Sequence, residues 1–385
     1  MIPDLTLDSL NKIKSVDRNG MCKIQVHLPE NCEDAINRAE KLRIPHHVEI
    51  SKKIRIVYKK PEKILVAGMG GSAIGGDLLR SWLSDFSPIP IDVSRDYRLS
   101  NYVDEKTLVF VVSYSGNTEE TLSSFVEAVE RRCMVVAITS GGQLLMLCKQ
   151  LAIPVVELPS GIPPRTALPY LFFPLIVVLK KMKIIDGKSV EISEAITVLS
   201  KVREQIQPET PFSRNIAKQI ALKVKGTIPV IYGFRHYSGV AARIKDQFNE
   251  NSKVPAKCDV FPELNHNEIV GWQGSKKLTG NFSVILLRDL DEPLEIKARI
   301  DLTKKLVLKK KVRVILELYG QGKFTLARML SAIYIGDFVS IYLAILNNTD
   351  PTPVEIVTKL KSELKENVDI AGQIDRRISR ITRNL

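Results

Sequence analysis

The sequence predicts an α/β protein with two doubly wound parallel sheets followed by C-terminal helices. Short apolar segments alternate with helical segments, a pattern typical of parallel sheets that helices cover on both faces. The chain has 385 residues, more than the roughly 250–300 at which a single core stops growing, so two domains are expected. A strand, a glycine and a helix follow one another in 64–79 (ILVAGMGGSAIGGDLL) and again in 230–245 (VIYGFRHYSGVAARIK). This similarity predicts that the second half is a distant duplicate of the first.

The first half contains five short apolar runs that we predict to be strands: Lys63–Ala67, Pro90–Ser94, Thr107–Val112, Met134–Thr139 and Pro154–Leu158. Helices are predicted to end near Leu83, to run over Glu119–Arg131 and to begin at Leu168. Residues 1–60 form a lead-in with a predicted helix and a predicted strand, Asp34–Leu42 and Ile54–Tyr58. We expect this lead-in to pack on a first domain of residues 61–205.

The second half begins after a break in the helical pattern of 190–224, at Pro208–Pro211. Its predicted strands are Ile228–Gly233, Ser283–Leu287 and Arg313–Leu318. Its predicted helices are Tyr237–Asn249, Pro293–Leu308, Phe324–Leu346, Val354–Leu364 and Asp369–Arg383. We therefore predict a second domain of residues 206–350 and C-terminal helices over 351–385. The role of residues 366–385 stays open.

The formal charge of +13 does not identify a nucleic-acid protein, because its basic residues are spread along the chain. The main run, Lys304–Arg313, alternates with Val and Leu and is typical of a helix that leads into a strand. A solvated face is favoured over a nucleic-acid surface, and a basic surface also attracts small anions. The apolar run Leu168–Leu179 is interrupted by two prolines and is shorter than the roughly 20 residues that span a bilayer. We expect no membrane segment.

The cysteines and histidines indicate a protein without a metal in a reducing compartment. Five scattered cysteines are typical of free thiols, and no secretory signal is visible in the first residues, so a cytoplasmic location is expected. No CxxC, HxH or HExxH spacing is present, so neither a metal nor another cofactor is predicted.

One polar loop stands out, Ser113-Tyr-Ser-Gly-Asn-Thr118, between the predicted strand Thr107–Val112 and the following helix. Hydroxyl groups, backbone N–H groups and the positive end of a helix dipole meet at such a turn, and together they favour a phosphate dianion. We predict that Ser113, Ser115 and Thr118 bind phosphate.

A second loop, Gly68–Ala73, follows the preceding strand and matches the dinucleotide fingerprint with alanine at its last position. Asp92 or Asp96 could then hold a ribose, which leaves a nicotinamide-dependent oxidoreductase as an alternative. A tight turn that needs glycine explains a single loop of this kind equally well. Two such loops at adjacent strand ends favour a ligand site, because open parallel sheets bind ligands at that edge.

Five short motifs together resemble the bifunctional phosphoglucose/phosphomannose isomerases of the sugar isomerase (SIS) fold, over about residues 60–365. They are Gly70-Gly71-Ser72, Ser113–Thr118, Pro164-Arg165, Phe248-Asn-Glu-Asn251 and Leu264-Asn-His-Asn267. The resemblance implies a flavodoxin-like αβα sandwich in each domain, a sugar-phosphate substrate without a cofactor, and a homodimer whose sites use residues of both subunits. The loop Ser113–Thr118 alone would indicate only an SIS domain, so a regulatory sugar-phosphate-binding protein is the alternative.

The implied reaction moves a proton between C1 and C2 of a sugar phosphate through an enediol, after the ring has opened. Glu250, between two asparagines, is the candidate base, since a carboxylate held near the substrate can carry this proton. His266, in a polar loop, is the candidate for ring opening, and His236 at a strand end is its rival.

Arg165 follows two prolines and could stabilise the negative charge of the enediolate. Gly71 and Ser72 would close the phosphate site. The family also implies a lysine near the C-terminus, for which the chain offers Lys359 and Lys361. Lys361 borders an apolar helical stripe whereas Lys359 points farther towards solvent, so Lys361 is favoured. The choice between C2 epimers depends in the family on space near the start of this helix, where Thr352 and Val354 both stand.

Overall fold

The computed structural model describes residues 5–382, which form two compact units. The first unit comprises residues 30–187 and 354–382, and the second comprises residues 5–29 and 188–353. Strands are numbered along the chain: β1 His47–Ser51, β2 Ile54–Val57, β3 Lys63–Ala67, β4 Ile91–Ser94, β5 Thr107–Val112, β6 Met134–Thr139, β7 Val155–Glu157, β8 Ile228–Phe234, β9 Lys257–Phe261, β10 Phe282–Arg288 and β11 Val314–Tyr319.

The α-helices are numbered in the same way: α1 Leu10–Val16, α2 Met21–Val26, α3 Leu28–Glu40, α4 Gly71–Leu83, α5 Glu119–Glu130, α6 Gly142–Gln150, α7 Leu168–Lys181, α8 Ser189–Ile206, α9 Ile216–Val224, α10 Tyr237–Gln247, α11 Glu268–Gly271, α12 Lys276–Thr279, α13 Leu294–Leu302, α14 Thr325–Leu346, α15 Glu355–Asn367 and α16 Ile370–Thr382.

The first unit is built on a parallel sheet with the strand order β4-β3-β5-β6-β7. Every residue of β5 and β6 is buried, as expected for strands that helices cover on both faces. The antiparallel hairpin β1–β2 lies outside this sheet. The central strand β5 leads directly into the predicted phosphate loop, and α5 begins where the loop ends. The loop therefore lies at the carboxyl edge of the sheet.

The second unit is built on a parallel sheet with the order β11-β10-β8-β9. Helix α14 is the core helix of this unit, and α8, α9 and α10 pack against it. It is the one helix within residues 5–382 that is long and apolar enough to cross a membrane, and its whole apolar window is buried in the structure. A buried core helix of a soluble protein has the same composition, so the expectation that no segment spans a membrane stays a prediction.

The fold class predicted from the sequence is confirmed, with two parallel sheets and helices at the C-terminus. Strands β3, β5 and β6 begin and end at the predicted residues. Two strands, β1 and β9, were not predicted, because charged residues interrupt their apolar positions. Helix α13 is shorter than predicted, since after Leu302 the chain continues as a π-helical turn and a 3-10 turn.

The compact units divide the chain differently from the predicted segments 1–60, 61–205, 206–350 and 351–385. Helix α8, which we had assigned to the first domain, packs its buried face against α14 of the second unit. The lead-in is shared between the units, with the boundary near Pro29. Helices α15 and α16 belong to the first unit rather than forming a separate segment. Packing between helices that are distant in sequence decides these assignments, and a linear pattern does not report it.

Candidate functional site

The loop Ser113–Thr118 is held by hydrogen bonds among its own residues. The Ser113 hydroxyl donates to Thr118 Oγ1 at 3.1 Å and accepts from the Gly116 N–H at 3.1 Å. Ser113 is fully buried, whereas Ser115 is exposed and Thr118 is half-buried. Ser113 therefore shapes the loop, and Ser115 and Thr118 are the two hydroxyl residues of the loop that solvent reaches.

Gly116 allows this loop to touch the neighbouring one. Its backbone has a φ of +70°, and a Cβ added there would lie 1.8 Å from the Gly141 carbonyl oxygen. The loop is also tied to the start of α6, because the Gln143 N–H donates to Asn117 Oδ1 at 2.9 Å. No residue with a side chain fits at position 116 without moving one of the two loops.

The glycine-rich loop Gly68–Ala73 lies directly beside the loop Ser113–Thr118. The Tyr114 N–H donates to Ser72 Oγ at 3.3 Å, which joins the start of α4 to the loop. A Cβ on Gly71 would come within 3.3 Å of the Pro164 carbonyl oxygen and within 3.6 Å of Arg165 Cα. Arg165 itself is buried, with 4% of its surface exposed. The structure thus brings Gly71, Ser72, the phosphate loop and the backbone of Arg165 together in the first unit.

Lys361 of α15 lines a cavity of about 210 Å³ together with Ser115 and Thr118. Lys359 is not among the residues that line this cavity. The apolar stripe that favoured Lys361 in the sequence is itself solvent-exposed, with Ile356 76% and Leu360 60% exposed. The stripe therefore does not distinguish the two lysines. Lys361 is favoured because it shares a cavity with Ser115 and Thr118.

The same cavity contains two acidic side chains, Glu119 and Glu120, from the first turn of α5. Acidic side chains at a helix N-terminus interact favourably with the helix dipole, but their negative charge repels a bound dianion. Tyr97 also lines the cavity, and burial together with the nearby charges of Glu120 and Glu119 raises its pKa above the usual value. Tyr97 is therefore a neutral hydrogen-bonding group at neutral pH, and Lys361 supplies a positive charge.

In the second unit, Glu250 lies on a π-helical turn, Phe248–Ser252, that directly continues α10. Such turns are rare and are frequently found at functional sites. Glu250 is half-buried. Its carbonyl oxygen accepts a hydrogen bond from Lys253 Nζ at 2.7 Å, and the same ammonium group donates to the Pro351 carbonyl at 2.9 Å.

The residues that flank Glu250 anchor the turn on both sides. Asn249 Oδ1 accepts from the Ala256 N–H at 3.0 Å, and the buried Asn251 amide donates to Ser340 Oγ at 2.9 Å. The Ser252 hydroxyl donates to the Ser340 carbonyl at 2.6 Å. Both asparagines of the motif therefore help to hold the turn that carries Glu250.

Below this turn, α10 is fastened to α14 by a buried ion pair. Arg243 Nη2 lies 2.9 Å from Asp337 Oδ2, and Gln25 Nε2 donates to the same oxygen at 2.8 Å. Burial raises the pKa of Asp337, and the charge of Arg243 opposes that rise. A charged pair without solvent requires close geometry, so it fixes the position of α10 relative to α14.

His266 and Glu250 lie at opposite edges of the sheet in the second unit. Glu250 precedes β9 and His266 follows it, while β9 runs parallel to β8. A strand of five residues spans roughly 16 Å. Glu250 therefore lies before the amino end of β9 and His266 after its carboxyl end, with the length of the strand between them.

The rival histidine, His236, lies at the carboxyl edge of the same sheet, after β8. Its Nε2 is 2.9 Å from Asp289 Oδ2, and Arg328 Nε is 3.1 Å from the same oxygen. Burial opposes ionisation of Asp289, but the hydrogen bond from His236 and the charge of Arg328 hold its pKa below the usual 3.8. His236 is thus oriented by a buried carboxylate that also binds an arginine, an arrangement typical of a structural ion-pair network.

Within residues 5–382, no group of three or more histidine, cysteine, aspartate or glutamate side chains is arranged to hold a metal ion. The cysteines in this part of the chain are free thiols. Burial raises the pKa of the thiols of Cys22, Cys32, Cys133, Cys148 and Cys258.

Comparison with known proteins identifies the family. The chain is 42% identical over 335 residues to the bifunctional phosphoglucose/phosphomannose isomerase of Caldicellulosiruptor bescii, covering 87% of this chain and 98% of the relative. The chain belongs to this family. The isomerase of the same name from Aquifex aeolicus is 37% identical over 304 residues, covering 79% of this chain and 90% of the relative.

Family models locate the two halves of this isomerase-family chain. Residues 56–145 match the SIS domain, and residues 213–364 match the bacterial phospho-glucose isomerase C-terminal SIS domain. A glucose-6-phosphate isomerase-like protein from Thermus thermophilus has the same fold, with a TM-score of 0.58, 17% identity, and coverage of 90% of this chain and 97% of that chain. The resemblance noted in the sequence motifs is confirmed.

Sequence patterns did not indicate the residues that support the site from a distance. Ser340 lies near the end of a continuous apolar helix, and nothing in its neighbourhood distinguishes it from other small core residues. Gln143 follows two glycines after the predicted strand Met134–Thr139 and belongs to no recognisable motif. Tyr97 stands in a loop without a recognisable motif. Asn117, by contrast, belongs to the phosphate-loop motif and could have been named from it.

Proposed function

We propose that the chain interconverts glucose 6-phosphate and mannose 6-phosphate with fructose 6-phosphate. The observation that carries this conclusion is the 42% identity to a bifunctional phosphoglucose/phosphomannose isomerase, 98% of whose length is covered. The presence of Glu250 on an anchored turn agrees with it, because a protein that only senses sugar phosphates would not need that carboxylate. The regulatory alternative is therefore not favoured.

Phosphate binding is assigned to the loop Ser113–Thr118. Ser115, Thr118 and Lys361 share one cavity, which supports a role for all three in holding the phosphate end of the substrate. The N-terminus of α5 adds backbone N–H groups and a favourable dipole. Ser113 and Gly71 contribute by shaping the loops, and Ser72 contributes by bonding to Tyr114.

The chemical step is a proton transfer at C1 and C2. For aldose to ketose, Glu250 removes the proton from C2 and returns it to C1 while the O1 and O2 protons rearrange, so no atom is gained or lost. Arg165 steadies the negative charge of the enediolate between these two transfers. Lys361 assists at the sugar hydroxyls when the ring opens.

We assign ring opening to His266. Together with the position of Glu250, this assignment leads us to propose a homodimer. Because Glu250 and His266 of one copy lie at opposite edges of their sheet, we propose that each site combines Glu250 of one subunit with His266 of the other. The exposed apolar stripe of α15 is further support for a second copy of the chain, since such stripes often mark interfaces. Two sites related by a two-fold axis would follow.

The setting is proposed to be the cytoplasm, with the enzyme serving glycolysis and gluconeogenesis. Free thiols, four of the five buried, agree with a reducing compartment. The proposed substrates are the hexose phosphates that these reactions share.

The test is a coupled assay in which each aldose 6-phosphate is supplied separately and fructose 6-phosphate is measured, with and without a chelator. We expect turnover of both sugars and no effect of the chelator. Glu250→Gln should lower kcat by at least about 100-fold, since general base catalysis contributes about that much. Glu295→Gln, an exposed carboxylate on α13, is the matched control and should retain wild-type kcat.

Two results would contradict the proposal. Binding of both sugar phosphates without turnover would favour the regulatory alternative. Full activity of Glu250→Gln would remove Glu250 as the base while leaving the isomerase assignment intact.

A further inference from the structure

Helix α16 lies beyond the region that the family model matches, which ends at residue 364. It nevertheless packs on the first unit, against α5 and β1. Its apolar face is buried there, with Ile374 3% and Ile381 6% exposed. A segment outside the family model is therefore docked on the helix that begins at the phosphate loop.

Polar contacts fix the register of this docking. Arg377 Nη2 lies 2.6 Å from Glu130 Oε2, and Arg377 Nη1 donates to Ser123 Oγ at 3.3 Å. Both partners belong to α5. The basic side chain on α16 thus faces a carboxylate near the end of the helix whose start forms one side of the phosphate loop.

A second set of contacts reaches the loop itself. Asp375 Oδ1 accepts a hydrogen bond from Gln143 Nε2 at 2.8 Å, and the Gln143 N–H donates to Asn117 Oδ1 at 2.9 Å. Asn117 is a residue of the phosphate loop. One glutamine therefore links α16 to the loop through two hydrogen bonds.

Helix α15, which carries Lys361, is joined to α16 by a short connection. Its apolar residues are largely exposed, including Ile356 and Leu360, so its own packing within the first unit contributes little. Only two residues, Val368 and Asp369, separate α15 from α16. Tyr97 lines both the cavity of Lys361 and a larger cleft of about 590 Å³ that Arg377 and Gln373 also line.

We propose that α16 is a positioning element for the phosphate site, with Arg377 and Asp375 as its positioning residues. By docking on α5 and on Gln143, α16 holds Lys361 opposite Ser115 and Thr118 and restrains Asn117. This inference rests on the proposed role of those residues in phosphate binding. It assigns a function in substrate affinity to the C-terminal segment.

The first test is Arg377→Glu, which places a carboxylate against Glu130. Reversal is preferred to simple removal because a partly exposed ion pair contributes little by itself. We expect KM for both aldose phosphates to rise roughly three- to tenfold, as when one ordinary hydrogen bond is lost, with kcat changed less than twofold. The inhibition constant of inorganic phosphate should rise by the same factor.

The controls separate positioning from folding. Arg376→Glu alters the neighbouring arginine, whose side chain is 63% exposed and which lies 3.4 Å from Asp369 of its own segment, and it should leave KM unchanged. Arg377→Glu combined with Glu130→Arg should restore KM to within about twofold of the wild type, because it rebuilds the pair in reverse. Asp375→Ala should raise KM without involving Glu130. Thermal unfolding shows whether each variant is folded.

Unchanged KM and phosphate inhibition in folded Arg377→Glu and Asp375→Ala would overturn the proposal, and so would a double variant that fails to recover. Failure of this proposal can be distinguished from failure of the proposed isomerase activity. If the wild type does not turn over either sugar, calorimetric titration with inorganic phosphate still compares the affinity of the wild type with that of Arg377→Glu.

Discussion

Ser340 shows how a single small side chain in the core can support the turn of a proposed catalytic residue, Glu250, from a distance. Its hydroxyl accepts from the Asn251 amide and donates to the Asp337 carbonyl at 2.6 Å, and its own carbonyl accepts from Ser252. These bonds hold both residues that follow Glu250. The turn that carries Glu250 is thus fastened to α14, at a residue about 90 positions away in the chain.

We predict that Ser340→Ala lowers kcat by roughly tenfold and lowers the free energy of unfolding by about 1–3 kcal/mol, because the buried Asn251 amide loses its acceptor on α14. KM should change little, since the phosphate loop lies in the other unit. Urea unfolding and steady-state kinetics measure the two effects.

The matched control is Ser331→Ala, on the same helix. Its buried hydroxyl accepts from the Gln321 N–H at 2.7 Å, so this variant should lose stability without losing kcat. If both variants lose kcat equally, the effect of Ser340→Ala comes from general destabilisation of α14, and the positioning role is wrong.

At the scale of elements, the proposed phosphate site depends on two loops that touch at Gly116. The loop after β5 meets the Gly141–Gly142 turn after β6, and these strands are neighbours in the sheet. Their contact is backbone against backbone. The geometry of Ser115 and Thr118 therefore depends on the absence of a side chain at position 116.

We predict that Gly116→Ala raises KM for sugar phosphates at least roughly tenfold, because a Cβ 1.8 Å from a carbonyl oxygen forces the loops apart and displaces Ser115 and Thr118. The change should also cost the roughly 1–2 kcal/mol that a left-handed residue with a side chain requires. Kinetics with each aldose phosphate and thermal unfolding report the two effects.

Gly161→Ala separates these causes. Gly161 also has a positive φ, +89°, but an added Cβ there meets no atom within 4 Å. It should lose stability and keep its KM. A wild-type KM in Gly116→Ala would show that the loops can separate without affecting the phosphate site.

The strands that the sequence predicts best are those whose surroundings are uniform. Strands β5 and β6 are buried on both faces, so their continuous apolar runs show their full extent. Strand β9 lies at the sheet edge with charged Lys257 and Asp259 in it, so its pattern resembles a loop. Because β9 was not predicted, the sequence also did not show that a strand separates Glu250 from His266.

In the candidate site, too, the sequence predicts local features and does not predict contacts between distant residues. The motif of Ser113–Thr118 predicts a phosphate loop because all of its chemistry is local. The approach of Gly71 to the backbone of Arg165, distant in the chain, is a tertiary contact that only the family resemblance suggested. Helix α16 carries no motif, and its link to the loop through Gln143 becomes visible only in the structure.

At the scale of the whole molecule, the separation of Glu250 and His266 makes a prediction about assembly. Each inactive variant, Glu250→Gln or His266→Ala, should form a homodimer in which both sites are defective. When the two are unfolded together in equal amounts and refolded, half of the dimers are mixed. If each site takes Glu250 and His266 from different subunits, a mixed dimer has one site with both defects and one intact site.

We therefore expect the refolded mixture to recover about a quarter of wild-type activity, half of the dimers each having one of two sites intact. The recovered activity should appear only after refolding and should fall when either variant is in large excess. Sedimentation analysis checks that the mixture is dimeric. If Glu250 and His266 of the same copy worked together, every site in the mixture would carry one defect and no activity would return.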